Sequence, residues 1–182
     1  FQCTRHDPQT NSIEVAKNCI KYGIKGYFGG PIFEDPRTPK YPILDYIDNK
    51  NTFYFGAMDH EDKMEKYKHA RMTTLLFQRN PPFNMSAIES LSCGTPILIP
   101  EKRVQDMTYS DSMGNGGYSE QFFKKVSKGC NLLYNGTNFK ECFEKAGTIR
   151  QKECYDRSLQ YSHTKMLESF EKALRQIYDK TD

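Results

Sequence analysis

Apolar and polar positions change over in short blocks along the whole chain, and the period of the blocks switches between strand and helix. Residues 71 to 100, RMTTLLFQRNPPFNMSAIESLSCGTPILIP, show the switch best. The apolar run Leu75-Leu76-Phe77 ends in a polar loop broken by prolines. A short amphipathic helix follows, with Ala87, Ile88 and Leu91 on one side and Glu89 near its start. Cys93-Gly94 closes that helix, Pro96 blocks its continuation, and Ile97-Leu98-Ile99 is a second apolar run. Strand, loop, helix, glycine stop and strand make the βαβ unit of a parallel sheet.

The same reading extends to both ends. Phe1 to Thr4 reads as a strand, and Ser12 to Lys21 as a helix with Ile13, Ala16 and Ile20 inward, ended by Gly23. Gly26-Tyr27-Phe28 is a short strand running into Gly29-Gly30-Pro31. Pro36, Pro39 and Pro42 break up residues 33 to 50, leaving one helical turn at Ile43 to Ile47. Thr52 to Phe55 is a strand, and His60 to Ala70 a helix with Met64 and Tyr67 inward. After a polar stretch at 101–117 ending in Gly114-Asn115-Gly116-Gly117, a helix is expected at Ser119 to Lys125 and a strand at Asn131 to Tyr134. Two helices close the chain, at about 138–157 and about 161–179. The last carries a stripe of Met166, Leu167, Phe170, Leu174 and Ile177. The pattern predicts an α/β fold, with a parallel sheet of about five or six strands covered by helices on both faces.

Composition narrows this picture. A chain of 182 residues fits one domain with a substantial core. No apolar run approaches the roughly 20 residues of a membrane span, and the net charge of +3 does not point to nucleic acid. The cysteines at 3, 19, 93, 130, 142 and 154 form no C-x-x-C pair, so they read as reduced core thiols in a cytoplasmic protein. Histidines 6, 60, 69 and 163 show no metal-ligand spacing. The sequons at Asn84 and Asn135 read as chance occurrences. The chain opens on Phe1-Gln2-Cys3-Thr4, inside a strand, and is read as part of something longer.

A parallel sheet binds ligands at the carboxyl ends of its strands, where helix N-termini offer free N–H groups to phosphates. A carboxylate one turn inside such a helix, Glu89, suits ribose hydroxyls. The alternative for Glu89 is a capping box, because Ser86-x-x-Glu89 has that spacing.

With these residues in view, the chain resembles the C-terminal half of a GT-B glycosyltransferase of the large retaining group called group 1 or family 4. The resemblance rests on an ordered set: Arg5 after the first strand, Gly29-Gly30-Pro31, Phe53-Tyr54-Phe55-Gly56-Ala57-Met58, and Pro81 to Glu89 leading into Gly94-Thr95-Pro96. Gly116-Gly117-Tyr118-Ser119-Glu120 resembles the family's GG-x-x-E, and Gly129-Cys130-Asn131-Leu132-Leu133-Tyr134 its following strand. Two positions depart from the family. Its first loop glutamate falls on Pro81, and the lysine that offsets diphosphate charge falls on Thr10. Arg5, Arg79 and His6 are the residues that could compensate.

The resemblance implies a single Rossmann-like donor-binding domain over 1–182. It implies transfer of a sugar from a nucleotide-diphosphate donor to an acceptor that the sequence does not name. The acceptor and much of the chemistry would belong to an N-terminal domain absent from this chain, toward which residues 161–182 would cross. No metal or cofactor is required on this reading, and no catalytic residue is assigned. The donor-binding set is Arg5, Gly29, Gly30, Met58, Phe83, Asn84, Met85 and Glu89. Arg5 would clamp the diphosphate, or pair with Asp7. Gly29 and Gly30 would let phosphate approach the backbone, or merely make a tight turn. Met58 would meet the base through its main chain, or pack in the core. Phe83, Asn84 and Met85 would offer backbone N–H groups, with Asn84 equally plausible as an N-cap. The alternatives are a degenerate, non-catalytic GT-B module used for binding or assembly, and another GT-B enzyme such as a nucleotide-sugar epimerase.

Overall fold

Six short strands, all parallel, carry the fold in a computed structural model that describes residues 1–7, 10–32, 41–76, 85–101 and 128–178. Arg79, Pro81, Phe83, Asn84, the polar stretch from 102 on and the helix expected at Ser119 to Lys125 lie outside the described residues. The strands are β1 (Gln2–Cys3), β2 (Gly26–Gly29), β3 (Thr52–Tyr54), β4 (Thr73–Thr74), β5 (Ile97–Pro100) and β6 (Asn131–Tyr134). Helices fill the crossovers: α1 (Ser12–Tyr22), α2 (His60–His69) and α3 (Met85–Ser92). The chain ends in α4 (Phe139–Ala146), α5 (Gln151–Leu159) and α6 (His163–Tyr178). The turn expected near Ile43 is a 3₁₀ turn at Ile43–Tyr46.

The single sheet expected from the sequence is instead two three-stranded sheets, β1-β2-β3 and β4-β5-β6, so Thr52–Tyr54 and Ile97–Pro100 lie in different sheets. β1 and β4 have two residues each, and one residue, Phe1, joins them: its amino group donates to the Met72 carbonyl at 2.8 Å, and its carbonyl accepts from Thr74 N–H at 2.9 Å. Two bonds to one residue hold the sheets together without making a ladder. Across that seam the order is β3-β2-β1 then β4-β5-β6, the order of a doubly wound fold.

The core shows that the two sheets work as one layer. Val15, Ala16 and Cys19 of α1 and Phe28 of β2 share a single apolar cluster with Leu76, Leu98 of β5, Leu132 of β6 and Phe139 of α4. On the other face Leu75, Ile97 and Ile99 pack with Ala87 of α3. Leu98 thus faces one helical layer and its neighbours Ile97 and Ile99 the other, as strands buried on both sides require.

Two helix expectations need correction. The inward face of α1 carries Ser12, Val15, Ala16 and Cys19, while Ile20 is 39% exposed and Ile13 is half-buried. The reason is close approach: a side chain at Gly26 of β2 would come within 2.7 Å of the Cys19 sulfur, so the contact face takes small residues and pushes isoleucine to the flank. The helix expected over 138–157 is broken into α4 and α5. α4 ends at Gly147, where the chain tightens through Gly147 N–H to the Glu144 carbonyl at 3.1 Å and Thr148 N–H to the Lys145 carbonyl at 2.9 Å, while Arg71 donates to the Glu144 carbonyl at 3.2 Å and fills the space beside Gly147. Ile149 then turns toward the core before α5 begins.

Candidate functional site

The carboxyl ends of β1 and β4 meet at the seam between the sheets, and two helix starts flank it. Asn11, just before α1, donates its side-chain amide to the Leu76 carbonyl at 2.8 Å. Ser86, in the first turn of α3, donates to the Cys3 carbonyl at 3.4 Å. Both bonds reach across the seam. This is the position where doubly wound sheets take their ligands.

Glu89 stands one turn further along α3. Its Oε1 pairs with the Lys63 ammonium of α2 at 2.7 Å, and both side chains are mostly buried, at 13% and 22% exposed. Among the buried side-chain oxygens that have no partner among the described residues, Glu89 Oε2 is the only carboxylate oxygen. The capping box is not formed: Ser86 lies inside the helix rather than before it, its hydroxyl points to Cys3, and the Glu89 carboxylate turns to Lys63. Cys3 lies beside the pair. Burial raises the pKa of its thiol, Lys63 pulls it down and Glu89 pushes it up.

The other expected residues that the structure describes sit along the same edge. Met58 follows β3 and rests on Gly29, where an added side chain would overlap its sulfur. Gly30 has φ of 112° and lies against the Thr4 carbonyl, and it donates its N–H to Gly56 at 2.6 Å. The two glycines therefore close the ends of β1, β2 and β3 onto one another. Arg5 pairs with Asp7, through Nε at 3.3 Å and Nη2 at 3.1 Å. Met85, at the start of α3, is 56% exposed. The structure thus brings Gly29 against Met58 and sets Glu89 beside the end of β1, while the Arg5 fork turns toward Asp7.

Thr10 and His6 behave as scaffold. Thr10 is buried, and its hydroxyl donates to the Asp7 carbonyl at 2.9 Å. His6 is fully buried, with Nε2 donating to the Gly29 carbonyl at 3.0 Å and Nδ1 facing the Ser12 hydroxyl at 2.7 Å. Burial pushes its pKa down to about 4, against the opposing pull of the Gly29 bond and Asp7. At neutral pH His6 is uncharged, so it cannot supply the charge of a lysine expected at the position of Thr10. A pH dependence follows. An unfolded histidine titrates near about 6.5, so below that pH the unfolded chain binds more protons than the folded one. Stability contributed by neutral His6 is complete above about pH 6.5 and falls toward pH 4, by up to about 1.4 kcal/mol per pH unit. Urea unfolding of wild type and His6→Asn between about pH 7 and 5 should show the smaller acid loss in the variant.

Lys63 is the neighbour of Glu89 that sequence reading misses. A signal existed: it lies in the opening turns of the helix after β3, as Glu89 does in the helix after β4. β3 and β4 are not neighbours in the sheets, however, and it is the packing of α2 on α3 that brings the two positions together.

A cavity of about 640 Å³ opens at the opposite edge of the sheets, lined by Phe1, Ile24, Phe28, Met72 and Phe143. It lies at the amino ends of the strands, away from the helix starts, and takes no part in the site.

No protein-family model matches the sequence. No curated protein matches it either. Solved structures do match. AviGT4, a glycosyltransferase of avilamycin A biosynthesis, superposes with a TM-score of 0.65 at 15% identity, over 97% of this chain and 50% of its own. Sucrose-phosphate synthase from Thermosynechococcus elongatus gives 0.68 at 15% identity, over 98% of this chain and 45% of its own. The pneumococcal O-GlcNAc transferase GtfA, solved with UDP and GlcNAc, gives 0.59 at 11% identity, over 97% of this chain and 35% of its own. The chain spans half or less of the length of these three proteins. It has the α/β, Rossmann-like fold of a GT-B glycosyltransferase domain.

Proposed function

We propose that this chain binds the nucleotide-diphosphate part of a sugar donor at the carboxyl edge of its sheets, as one half of a glycosyltransferase. The observation that carries the reading is Glu89 Oε2, a buried carboxylate oxygen with no donor among the described residues, beside the seam between β1 and β4. An ionised oxygen left without a donor is costly, and a ribose hydroxyl is a donor of the right kind. The fold's likeness to glycosyltransferases, one of them solved with UDP, supports the same ligand class. The phosphates would lie toward the α3 start at Met85 and Ser86, and the base beside Met58. Titration calorimetry with uridine, adenosine and guanosine diphosphates tests this reading, and absence of binding by all three overturns it. With Thr10 in place of lysine and Pro81 in place of glutamate, the intact sugar nucleotide should bind little better than the bare diphosphate.

One observation favours the non-catalytic reading. The Thr10 hydroxyl is committed to the Asp7 carbonyl inside the fold, so this position gives the leaving diphosphate no help. A chain that binds nucleotide but supports no sugar transfer when joined to its other half would be such a module.

The last helix supports a second domain as partner. Met166, Leu167 and Phe170 of α6 are 59%, 50% and 63% exposed, while Leu174 and Ile177 lie outside the described side chains. We place this stripe against the acceptor domain. Leu167→Lys with Phe170→Glu should leave the melting temperature of this chain nearly unchanged, within about 0.5 kcal/mol, because neither side chain supports its core. The same pair should weaken association with an added acceptor domain. A large stability loss in the isolated chain would show that α6 packs on this domain instead.

A further inference from the structure

Glu89 shares its carboxylate unequally, and the cause is Lys63. The lysine ammonium holds Oε1 at 2.7 Å, while Oε2 is buried with no donor among the described residues. Exposed lysine–glutamate pairs exchange many geometries and contribute little. This pair is different because both ends are anchored. Asp59 caps α2 by accepting from Asp62 N–H at 2.8 Å, which fixes the turn that carries Lys63. α3 is pinned by the fully buried Ala87 and Leu91 on either side of Glu89. Cys93, just past α3, touches the Met64 carbonyl of α2 at 3.6 Å and ties the two helices together.

We propose that Lys63 is a positioning residue for ribose: by occupying Oε1 it fixes the plane of the Glu89 carboxylate and leaves Oε2 as the single acceptor for a ribose hydroxyl. This rests on the reading of Glu89 as the ribose ligand of the donor site. Lysine suits the task. Its compact ammonium makes a one-point contact, whereas the planar fork of arginine binds both oxygens of a carboxylate at once. An arginine at this position would compete with the sugar for Oε2.

The test measures how strongly the protein distinguishes ribose from a sugar without hydroxyls. Calorimetry compares UDP, ADP and GDP with their 2′,3′-dideoxy counterparts, using the tightest-binding base. A charge-assisted bond to Oε2 gives wild type a preference of about tenfold to a hundredfold for the ribose form. In Lys63→Met the preference should collapse to about threefold or less, through weaker binding of the ribose form, with affinity for the dideoxy form unchanged. Lys63→Arg, which keeps an ion pair and hence the fold, should lose the preference in the same way, and it decides the matter if Lys63→Met does not fold. If Glu89→Gln loses the preference while the Lys63 variants keep it, Lys63 plays no positioning part and the donor-site reading stands. If Glu89→Gln itself keeps the wild-type preference, the donor-site reading fails and this proposal fails with it.

Discussion

Gly30→Ala is expected to cost this fold about 4 kcal/mol, a large part of the roughly 5–15 kcal/mol that holds a domain folded. Two effects add. The residue holds φ at 112°, where an L side chain is strained by about 1–3 kcal/mol. The new methyl group would also overlap the Thr4 carbonyl, a backbone atom that cannot move without breaking the bond from Thr4 N–H to Gly29 O at 3.0 Å. Overpacking of that kind costs about 1–3 kcal/mol more. Gly56→Ala is the control. Gly56 also has positive φ, 69°, but a methyl group there meets nothing within 4 Å, so only the strain of about 1 kcal/mol applies. Urea unfolding of the two variants should separate them clearly. Equal losses would mean that the junction of β1 with β2 is looser than its geometry implies.

The Gly30 junction also marks how far the sequence could be read. The glycine pair at the end of β2 was visible, and so were its two alternatives, phosphate approach or a tight turn. Its packing against Thr4 depends on where β1 ends relative to β2, a register that no local pattern encodes. Strand positions from β2 to β6 were legible because each apolar run is bounded by glycine, proline or polar residues. The exception is β4, where the ladder uses Thr73–Thr74 and the more apolar Leu75-Leu76 lies just beyond it. The division into two sheets was not legible, because no local pattern marks how β1 and β4 meet at the seam. The inner face of α1 was misjudged for a related reason. Side-chain size suggested Ile20, but the close approach to Gly26 selects Cys19.

At the site, the pairing of Arg5 with Asp7 was readable as one of two alternatives, and the pairing of Lys63 with Glu89 was not. Arg5 carried two readings, and the structure forms the ion pair with Asp7. Glu89 also carried two, and the capping box is excluded by where Ser86 sits in the helix. His6 had seemed able to supply charge, but its two ring bonds and its burial make it a neutral strut under Gly29. In sequence Lys63 sits among the mixed charges of Glu61 to Lys68, a composition that reads as a solvated helix face. Only the packing of α2 on α3 makes it the partner of Glu89. Tertiary pairing of charges decides the chemistry here, and it is the level that a single sequence encodes least.

Glu89→Gln should weaken nucleotide diphosphate binding about tenfold to a hundredfold, the value of a charged and partly desolvated hydrogen bond. The geometry makes the substitution more telling than a loss of charge alone. Lys63 has donors only and needs an acceptor, so it will hold the single amide oxygen of glutamine where Oε1 now lies. The amide nitrogen then takes the place of Oε2 and presents N–H groups to the ribose hydroxyls where an acceptor is required. The fold should hardly notice. The lysine keeps a hydrogen bond to the amide oxygen and, at 22% exposed, some access to water, so the loss should stay well below the roughly 3–5 kcal/mol of a buried pair broken outright. A carboxylate that merely anchored α2 to α3 would give the opposite result: a lower melting temperature and unchanged affinity. Calorimetry and thermal unfolding on the same two proteins therefore separate a ribose ligand from a structural ion pair, and unchanged affinity in Glu89→Gln would remove the ground for placing a donor at this edge.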